Sequence, residues 1–93
     1  MYILLYYLYS IVYFLQKKET TLKLGNYVRK YRFEHDEMTQ QDLANAVGVT
    51  RLTIHSIETG KFNPSALLAM KIVRFFNVKF EDVFYIIDER TDR

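Results

Sequence analysis

The side chains of this chain that could do chemistry are hydrogen-bonding and cationic groups, and they are not arranged as in an enzyme. The 93 residues include no cysteine, which excludes a catalytic thiol, a disulfide framework and a thiolate zinc site. We find no paired-carboxylate pocket, no glycine-rich phosphate loop and no histidine spacing suited to a metal. We therefore expect no enzyme, no cofactor and no metal. What remains is non-covalent recognition by a short stretch of candidates: Gln40, Thr50, Arg51, Leu52, Thr53, His55, Ser56 and Lys61.

The length and the charge of the chain set broad limits. One hydrophobic core fits in 93 residues and a second independent domain does not. A formal net charge of +2 and a sequence pI near 8.9 permit nucleic-acid binding without arguing for it. The chain has no cysteines that would indicate an oxidising compartment, so we expect a cytoplasmic protein.

The elements that must position the candidates are predicted to be helices. Three glycines and one proline leave few turns, which favours an all-α bundle over a sheet. Apolar residues at three- and four-residue spacing predict a first helix over residues 22–35. Thr39 as N-cap, with Asp42 three residues later, predicts a second helix that stops at Gly48.

Three further helices complete the predicted bundle of five. Thr50 repeats the N-cap signal and predicts a short third helix closed by Gly60. Asn63 as N-cap and Pro64 at the first helical position predict a fourth helix, ended by Asn77. Residues 81–87 are expected to form a fifth helix. The sequence thus predicts a folded domain over residues 22–87 and a charged tail over residues 88–93.

The first 21 residues form a separate hydrophobic extension. Five of the eight tyrosines lie between Tyr2 and Tyr13, and Lys17 and Lys18 end the apolar run. The run is shorter than the roughly 20 residues that span a bilayer, and a secretory signal is not visible. Three interpretations stay open: translation from an upstream start, a shallow membrane anchor by residues 1–15, and a helix that binds a partner.

The middle of the chain resembles the Xre/Cro family of prokaryotic and phage repressors. The pattern T-Q-x-x-L-A-x-x-x-G-V begins at Thr39, E-x-G-K begins at Glu58, and N-P-S begins at Asn63. The resemblance covers about three-quarters of the chain with its spacing intact. It implies a helix-turn-helix, in which two short helices joined at Gly48 present the second one to the roughly 12 Å major groove of DNA.

The resemblance also implies roles for individual residues. The third helix would place base-contacting side chains at its N-terminal end, and a guanidinium at Arg51 can bond O6 and N7 of guanine. Gln40 and Lys61 would contact phosphates. The remaining candidates on the third helix would contact bases or phosphates, His55 with the least weight: Thr50, Thr53, His55 and Ser56.

Two features qualify the resemblance. Leu52 stands where the family tends to carry a polar residue, often glutamine, so we expect a thymine methyl in place of an adenine hydrogen bond. Arg32 and Glu58 resemble the arginine and glutamate that pair between the first and third helices of the family, a structural ion pair. The loop before Met38 is one residue longer than usual and has Glu37 where glycine is common.

The function expected from these residues is sequence-specific binding of double-stranded DNA by a small transcriptional regulator, most simply a repressor. A homodimer would dock two third helices on a roughly palindromic operator. The apolar end of the domain exceeds what one small core needs and is a candidate for the self-contact. The competing function is an antitoxin-like or membrane-tethered interaction module, for which only the hydrophobic extension offers a segment.

Overall fold

The computed structural model describes residues 2–18 and 22–88, and within these ranges the protein is mostly helical. Helix α1 spans Tyr2–Lys18 and precedes strand β1, Leu22–Asn26. Helices α2 (Val28–Glu34), α3 (Gln40–Val47) and α4 (Arg51–Glu58) follow. The described chain ends with α5 (Ala66–Phe76), α6 (Phe80–Val83) and strand β2 (Phe84–Asp88). The predicted tail beyond Asp88 lies outside the described residues.

The elements from α2 to β2 together form one apolar core. The apolar faces predicted for α3 and α4 are confirmed, because Leu43, Ala44 and Ile54 are fully buried. Burying such side chains stabilises the fold by about 1.5 to 3 kcal/mol for each large one. The core consists of Val28, Leu43, Ala44, Val47, Ile54, Ile57, Leu68, Ala69, Ile72, Val73, Phe76, Val83 and Phe84.

The predicted ends of α3 and the start of α4 are confirmed. The Thr39 hydroxyl accepts a hydrogen bond from the Asp42 N–H at 3.0 Å, and the Asp42 carboxylate accepts one from the Thr39 N–H at 3.0 Å. The bond from the Thr39 N–H to the carboxylate is the main cause that lowers the pKa of Asp42, as expected for a carboxylate that accepts a donor at a helix start. Gly48 ends α3 in the left-handed conformation with φ 78°, and the Thr50 hydroxyl caps α4.

The all-α prediction is wrong at both ends of the domain. Residues 22–26 form β1, not the start of a helix. The predicted fifth helix over residues 81–87 ends already at Val83, since residues 84–88 form β2. The strands pair antiparallel, with Leu22 opposite Asp88 and Asn26 opposite Phe84. Gly25 disfavours a helix in the first segment, while the aromatic and β-branched run of the second favours a strand. Helix α6 is therefore a single turn between α5 and β2.

Gly25 allows the two strands to pack closely. A Cβ at this position would lie 2.5 Å from Cζ of Tyr85 and 2.9 Å from Cδ1 of Ile87. The Tyr85 ring instead covers the glycine and lies 4.7 Å from the ring of Tyr27. The Tyr27 N–H donates to the carbonyl of Val83 at 2.8 Å, so the sheet is fixed to the start of α2 and the end of α6.

The predicted start of the fourth helix is also wrong. The N-cap of α5 is Ser65, whose hydroxyl accepts from the Leu68 N–H at 3.1 Å, so Asn63 and Pro64 belong to the preceding loop. Serine and asparagine are about equally good N-caps. The presence of Pro64 after Asn63 was therefore not enough to predict which of the two residues caps the helix. The predicted end at Asn77 is confirmed, in the left-handed conformation with φ 57°.

The loop between α2 and α3 contains two left-handed residues that are not glycine. Asp36 has φ 55° and Glu37 has φ 54°. A side chain in this conformation costs roughly 1 to 2 kcal/mol for a residue other than glycine, asparagine or aspartate. Glu37 occupies the position where glycine is common in the family that the sequence resembles, so the longer loop carries local strain.

We predict that Glu37→Gly stabilises the protein by about 1 kcal/mol, because glycine adopts φ near +54° without the Cβ clash. Urea unfolding followed by circular dichroism measures the change. The matched control is Glu34→Gly, the same substitution at a helical residue of α2, which should destabilise by up to about 1 kcal/mol. Equal effects of the two substitutions would contradict the assignment of strain to Glu37.

Candidate nucleic-acid interface

Helices α3 and α4 pack against each other across a tight turn. Gly48 reverses the chain, and the Val49 N–H donates to the Ala44 carbonyl at 3.0 Å. Ala44 is completely buried, which fits a position where a larger side chain would separate the two helices. This packing leaves the outer face of α4 uncovered by the rest of the domain.

The structure brings the predicted site residues of α4 onto that outer face. Arg51, Leu52 and His55 are exposed, as is the N-cap Thr50, whereas Thr53 and Ser56 are half-buried. Leu52 is 64% exposed, an unusual position for an isolated leucine at a helix start. The side chains at the N-terminus of α4 are therefore accessible to a binding partner.

Gln40 joins α3 to α4 through its side-chain amide. Its Nε2 lies 3.2 Å from Oε1 of Glu58 and 3.4 Å from Nδ1 of His55. Its Oε1 accepts from Nη1 of Arg51 at 3.5 Å. The glutamate fixes the amide nitrogen on its own side, so the amide oxygen faces the arginine. Gln40 thus restricts the orientation of the arginine that leads the exposed face.

Beneath this face lies a buried ion pair between α2 and α4. Nε and Nη2 of Arg32 donate to the two carboxylate oxygens of Glu58 at 2.7 and 2.9 Å. The side chains are only 8% and 5% exposed, and Nη1 of Arg32 also donates to the Met38 carbonyl at 2.6 Å. The hydrogen bonds to Glu58 raise the pKa of Arg32. Bidentate geometry of this kind fixes both position and orientation.

A hollow of about 300 Å³ next to the Arg32–Glu58 ion pair is lined by an arginine that was not among the predicted site residues. Arg29 lines it together with Gln40, His55 and Thr59. The guanidinium of Arg29 lies 5.5 Å from the centre of the Phe33 ring, a cation–π distance that restrains the side chain. Because Arg29 lies one turn before Arg32 on α2, its spacing was the signal that could have identified it.

A second hollow, of about 230 Å³, surrounds Leu52. It is lined by Thr50, Thr53, Ser56 and the ring of Phe62. The leucine and the phenylalanine form apolar walls, and the hydroxyl groups lie between them. A methyl group fits such a surface better than a charged group does.

Lys61 lies just beyond the C-terminus of α4 on an exposed loop. Gly60 takes the left-handed conformation with φ 78°, and the N–H groups of Lys61 and Phe62 both donate to the Ser56 carbonyl, at 2.9 and 3.1 Å. These bonds fold the loop back on α4 and hold the lysine near its end. Among the described residues, no group of acidic, histidine or cysteine side chains could hold a metal ion.

Comparison with known proteins places this geometry in a family. Residues 29–83 match the family described as helix-turn-helix. An uncharacterized HTH-type transcriptional regulator of Methanocaldococcus jannaschii is 50% identical over 66 residues, which are 71% of this chain and 98% of the relative. A regulator of the same description from Archaeoglobus fulgidus is 52% identical over 62 residues, 67% of this chain and 84% of the relative. One from Bacillus subtilis is 49% identical over 51 residues, 55% of this chain and 77% of the relative.

We predict that Arg32 and Glu58 contribute to stability as a unit. Arg32→Met or Glu58→Met alone should destabilise by about 3 to 5 kcal/mol, since each leaves one buried charge without its partner. The double variant should cost much less than the sum, because no buried charge remains. Urea unfolding of the four proteins measures the coupling, and additive single effects would exclude the pair as a unit.

Proposed function

This chain belongs to the helix-turn-helix family of DNA-binding transcriptional regulators, and we propose that it is a repressor that binds a roughly palindromic operator as a homodimer. The observation that carries the proposal is the outer face of α4. Arg51 and Leu52 are exposed at its N-terminal end. A helix presented in this way fits the major groove, where each base pair has a distinct pattern of donors and acceptors.

Arg51 is the residue we assign to direct base contact. Its guanidinium can donate two hydrogen bonds to O6 and N7 of guanine, which is worth about 1 to 3 kcal/mol of discrimination against another base. The contact with Gln40 at 3.5 Å restrains the guanidinium before DNA arrives. Gln40 itself lies at the first residue of α3, where it can contact a phosphate while it steadies the arginine.

Leu52 sets a second base preference of a different kind. Its apolar hollow with Phe62 suits the methyl group of thymine, and the leucine side chain itself cannot form the hydrogen bond to adenine that a glutamine would. Thr50, Thr53 and Ser56 lie around this hollow, where hydroxyl groups can bond bases or phosphates. The operator should therefore contain a guanine and a neighbouring thymine in each half-site.

Phosphate contacts on both sides of α4 position the helix. Lys61 lies after its C-terminus, while Arg29 and His55 share the hollow beside Gln40. Contacts of this kind fix register on the duplex and carry no sequence information. Each neutralised phosphate also makes the affinity depend on salt, with a slope of about −0.9 per contact.

The self-contact is proposed on the apolar surface of α6 and β2. Phe80 is 40% exposed, and Ile86 is 70% exposed. Phe80 stacks on Phe84 with 5.0 Å between ring centres, so this apolar surface is rigid. A two-fold contact here would pair the same surface of both copies. The two α4 helices of the dimer would then have to bind half-sites about one turn of DNA, roughly 34 Å, apart.

The test of the proposal is selection of binding sites from random duplex DNA by the full chain, analysed at moderate salt. We expect an enriched inverted repeat with a guanine at corresponding positions of the two halves. Binding that increases only as salt falls, with no enriched motif, would be the non-specific background that any cationic surface gives. That result would remove the support for a repressor.

We predict that Arg51→Ala weakens binding to the selected operator about 10- to 100-fold and relaxes selection for the guanine, because one bidentate contact is lost. Fluorescence anisotropy with labelled operator measures the affinity. The matched control is Arg74→Ala, which removes the same charge from an exposed position beside the C-terminus of α3. A uniform loss with both variants, and no change of preferred base, would place Arg51 on a phosphate.

We predict that Ile86→Asp converts the dimer to a monomer, because two carboxylates would meet in an apolar contact. Light scattering at micromolar concentration, with and without operator, measures the mass. The control is Leu4→Asp, the same kind of substitution at a similarly exposed residue of α1, which should leave the dimer intact. If Leu4→Asp dissociates the dimer and Ile86→Asp does not, the self-contact lies on α1. A monomeric parent protein would exclude the homodimer.

A further inference from the structure

Helix α1 carries no charged residue between Tyr2 and Tyr13, and its large apolar side chains are widely exposed. The exposed fractions run from 51% for Leu8 to 87% for Tyr2. At roughly 25 cal/mol for each Å² of apolar surface, leaving such a helix in water is unfavourable. This helix therefore needs an apolar environment that the described domain does not supply to these side chains.

The two faces of α1 differ in chemistry. Tyr2, Tyr6, Tyr9 and Tyr13 follow one another at spacings of four, three and four residues, which places them on one face of a helix. The rings of Tyr9 and Tyr13 stack with 6.4 Å between their centres, as neighbours on one face do. The remaining surface is mostly aliphatic, with the side chains of Leu4, Leu5, Leu8, Ile11 and Val12. The fifth tyrosine of the helix, Tyr7, lies beside Leu4 and Ile11 at spacings of three and four residues.

We propose that α1 is a membrane-surface helix, which lies in the plane of an anionic lipid leaflet with the aliphatic face toward the acyl chains and the tyrosine face at the headgroups. Tyrosine has an apolar ring and a polar hydroxyl, and it concentrates at this boundary of membranes. An interfacial helix presents an apolar side to the acyl chains and a polar side to the headgroups, and on α1 the tyrosine hydroxyls supply the polar groups. The repressor domain would then act at the cytoplasmic side of a membrane.

The length of α1 supports an in-plane helix over a spanning one. Seventeen residues at 1.5 Å each give about 25 Å, less than the roughly 30 Å of hydrocarbon in a bilayer. Among the described helices, none is both long enough and apolar enough to cross a membrane. Ser10 and the tyrosine hydroxyls also lie at intervals along most of the helix, not at its two ends only.

The chemistry of both faces favours lipid over a protein partner. A helix that packs against one protein surface, or against a second copy, keeps a charged face toward water. On α1 that face is occupied by four tyrosines instead. The sequence places Lys17 and Lys18 directly after the apolar run, and each lysine near an anionic surface favours binding by about fivefold.

The first test is sedimentation of the full chain with vesicles of phosphatidylcholine alone and of phosphatidylcholine with phosphatidylglycerol. We expect binding to both, at least about tenfold stronger on the anionic vesicles. The double variant Leu8→Asp with Ile11→Asp should weaken binding by at least about a hundredfold, since two aliphatic contacts are lost and two charges are added. The matched control, Leu8→Met with Ile11→Leu, should bind like the parent, and both variants should retain operator affinity.

The second test measures depth and separates an in-plane helix from a spanning one. The chain contains no tryptophan, so Leu8→Trp and Tyr9→Trp each introduce a single fluorophore, one on the aliphatic side and one on the tyrosine side, about 100° apart around the helix. Lipids brominated deep in the acyl chain should quench the tryptophan at 8 more strongly, and lipids brominated near the headgroup should quench the one at 9 more strongly. Equal depth for these adjacent residues would indicate a spanning helix and overturn the proposal.

Two other outcomes would also overturn it. Absence of vesicle binding, together with an oligomer that the double aspartate variant dissociates, would identify a second copy of α1 as the occupant. An intact mass of the protein isolated from its source that excludes residues 1–15 would show that the helix is not part of the natural protein. Neither outcome would affect operator binding, which is measured separately.

Discussion

The buried ion pair between Arg32 and Glu58 is the constraint on which the proposed DNA-binding surface depends. It fixes α4 to α2 with two hydrogen bonds, and the same glutamate accepts from Gln40. Gln40 in turn accepts from Arg51. The buried ion pair is therefore linked through Gln40 to the residue that we assign to base contact. The cost of burying two charges is offset by bidentate geometry and by the additional bond to the Met38 carbonyl.

The sequence was sufficient to predict the parts of the fold that local chemistry determines. Thr39, Gly48 and Thr50 each satisfy or end helical backbone bonds within four residues, and all three take the predicted roles. The apolar spacing identified the buried faces of α3 and α4 for the same reason, because a helix repeats every 3.6 residues. The polar candidates on α4 also followed, since the face opposite the core is the one left uncovered.

The parts that were missed depend on contacts between distant residues. Strand β1 exists because residues 84–88 pair with it, and no local pattern shows that the ends of the domain meet. A short apolar run such as residues 84–87 fits a helix or a strand until its partner is known. The role of Gln40 as a link between Glu58 and Arg51 likewise needed the distances, because the resemblance implied only a phosphate contact.

The modest net charge of the chain is compatible with specific DNA binding because of where the charges lie. Arg32 is neutralised internally by Glu58, and Lys30 lies 4.0 Å from Glu34. By contrast, Arg29, Arg51 and Lys61 lie on or beside the surface formed by α4 and the first turn of α3. Few phosphate contacts imply weak non-specific binding and a shallow salt dependence. In the proposed dimer, affinity for an operator would then come largely from the base contacts of α4 and from the second copy of the domain, which doubles those contacts on one site.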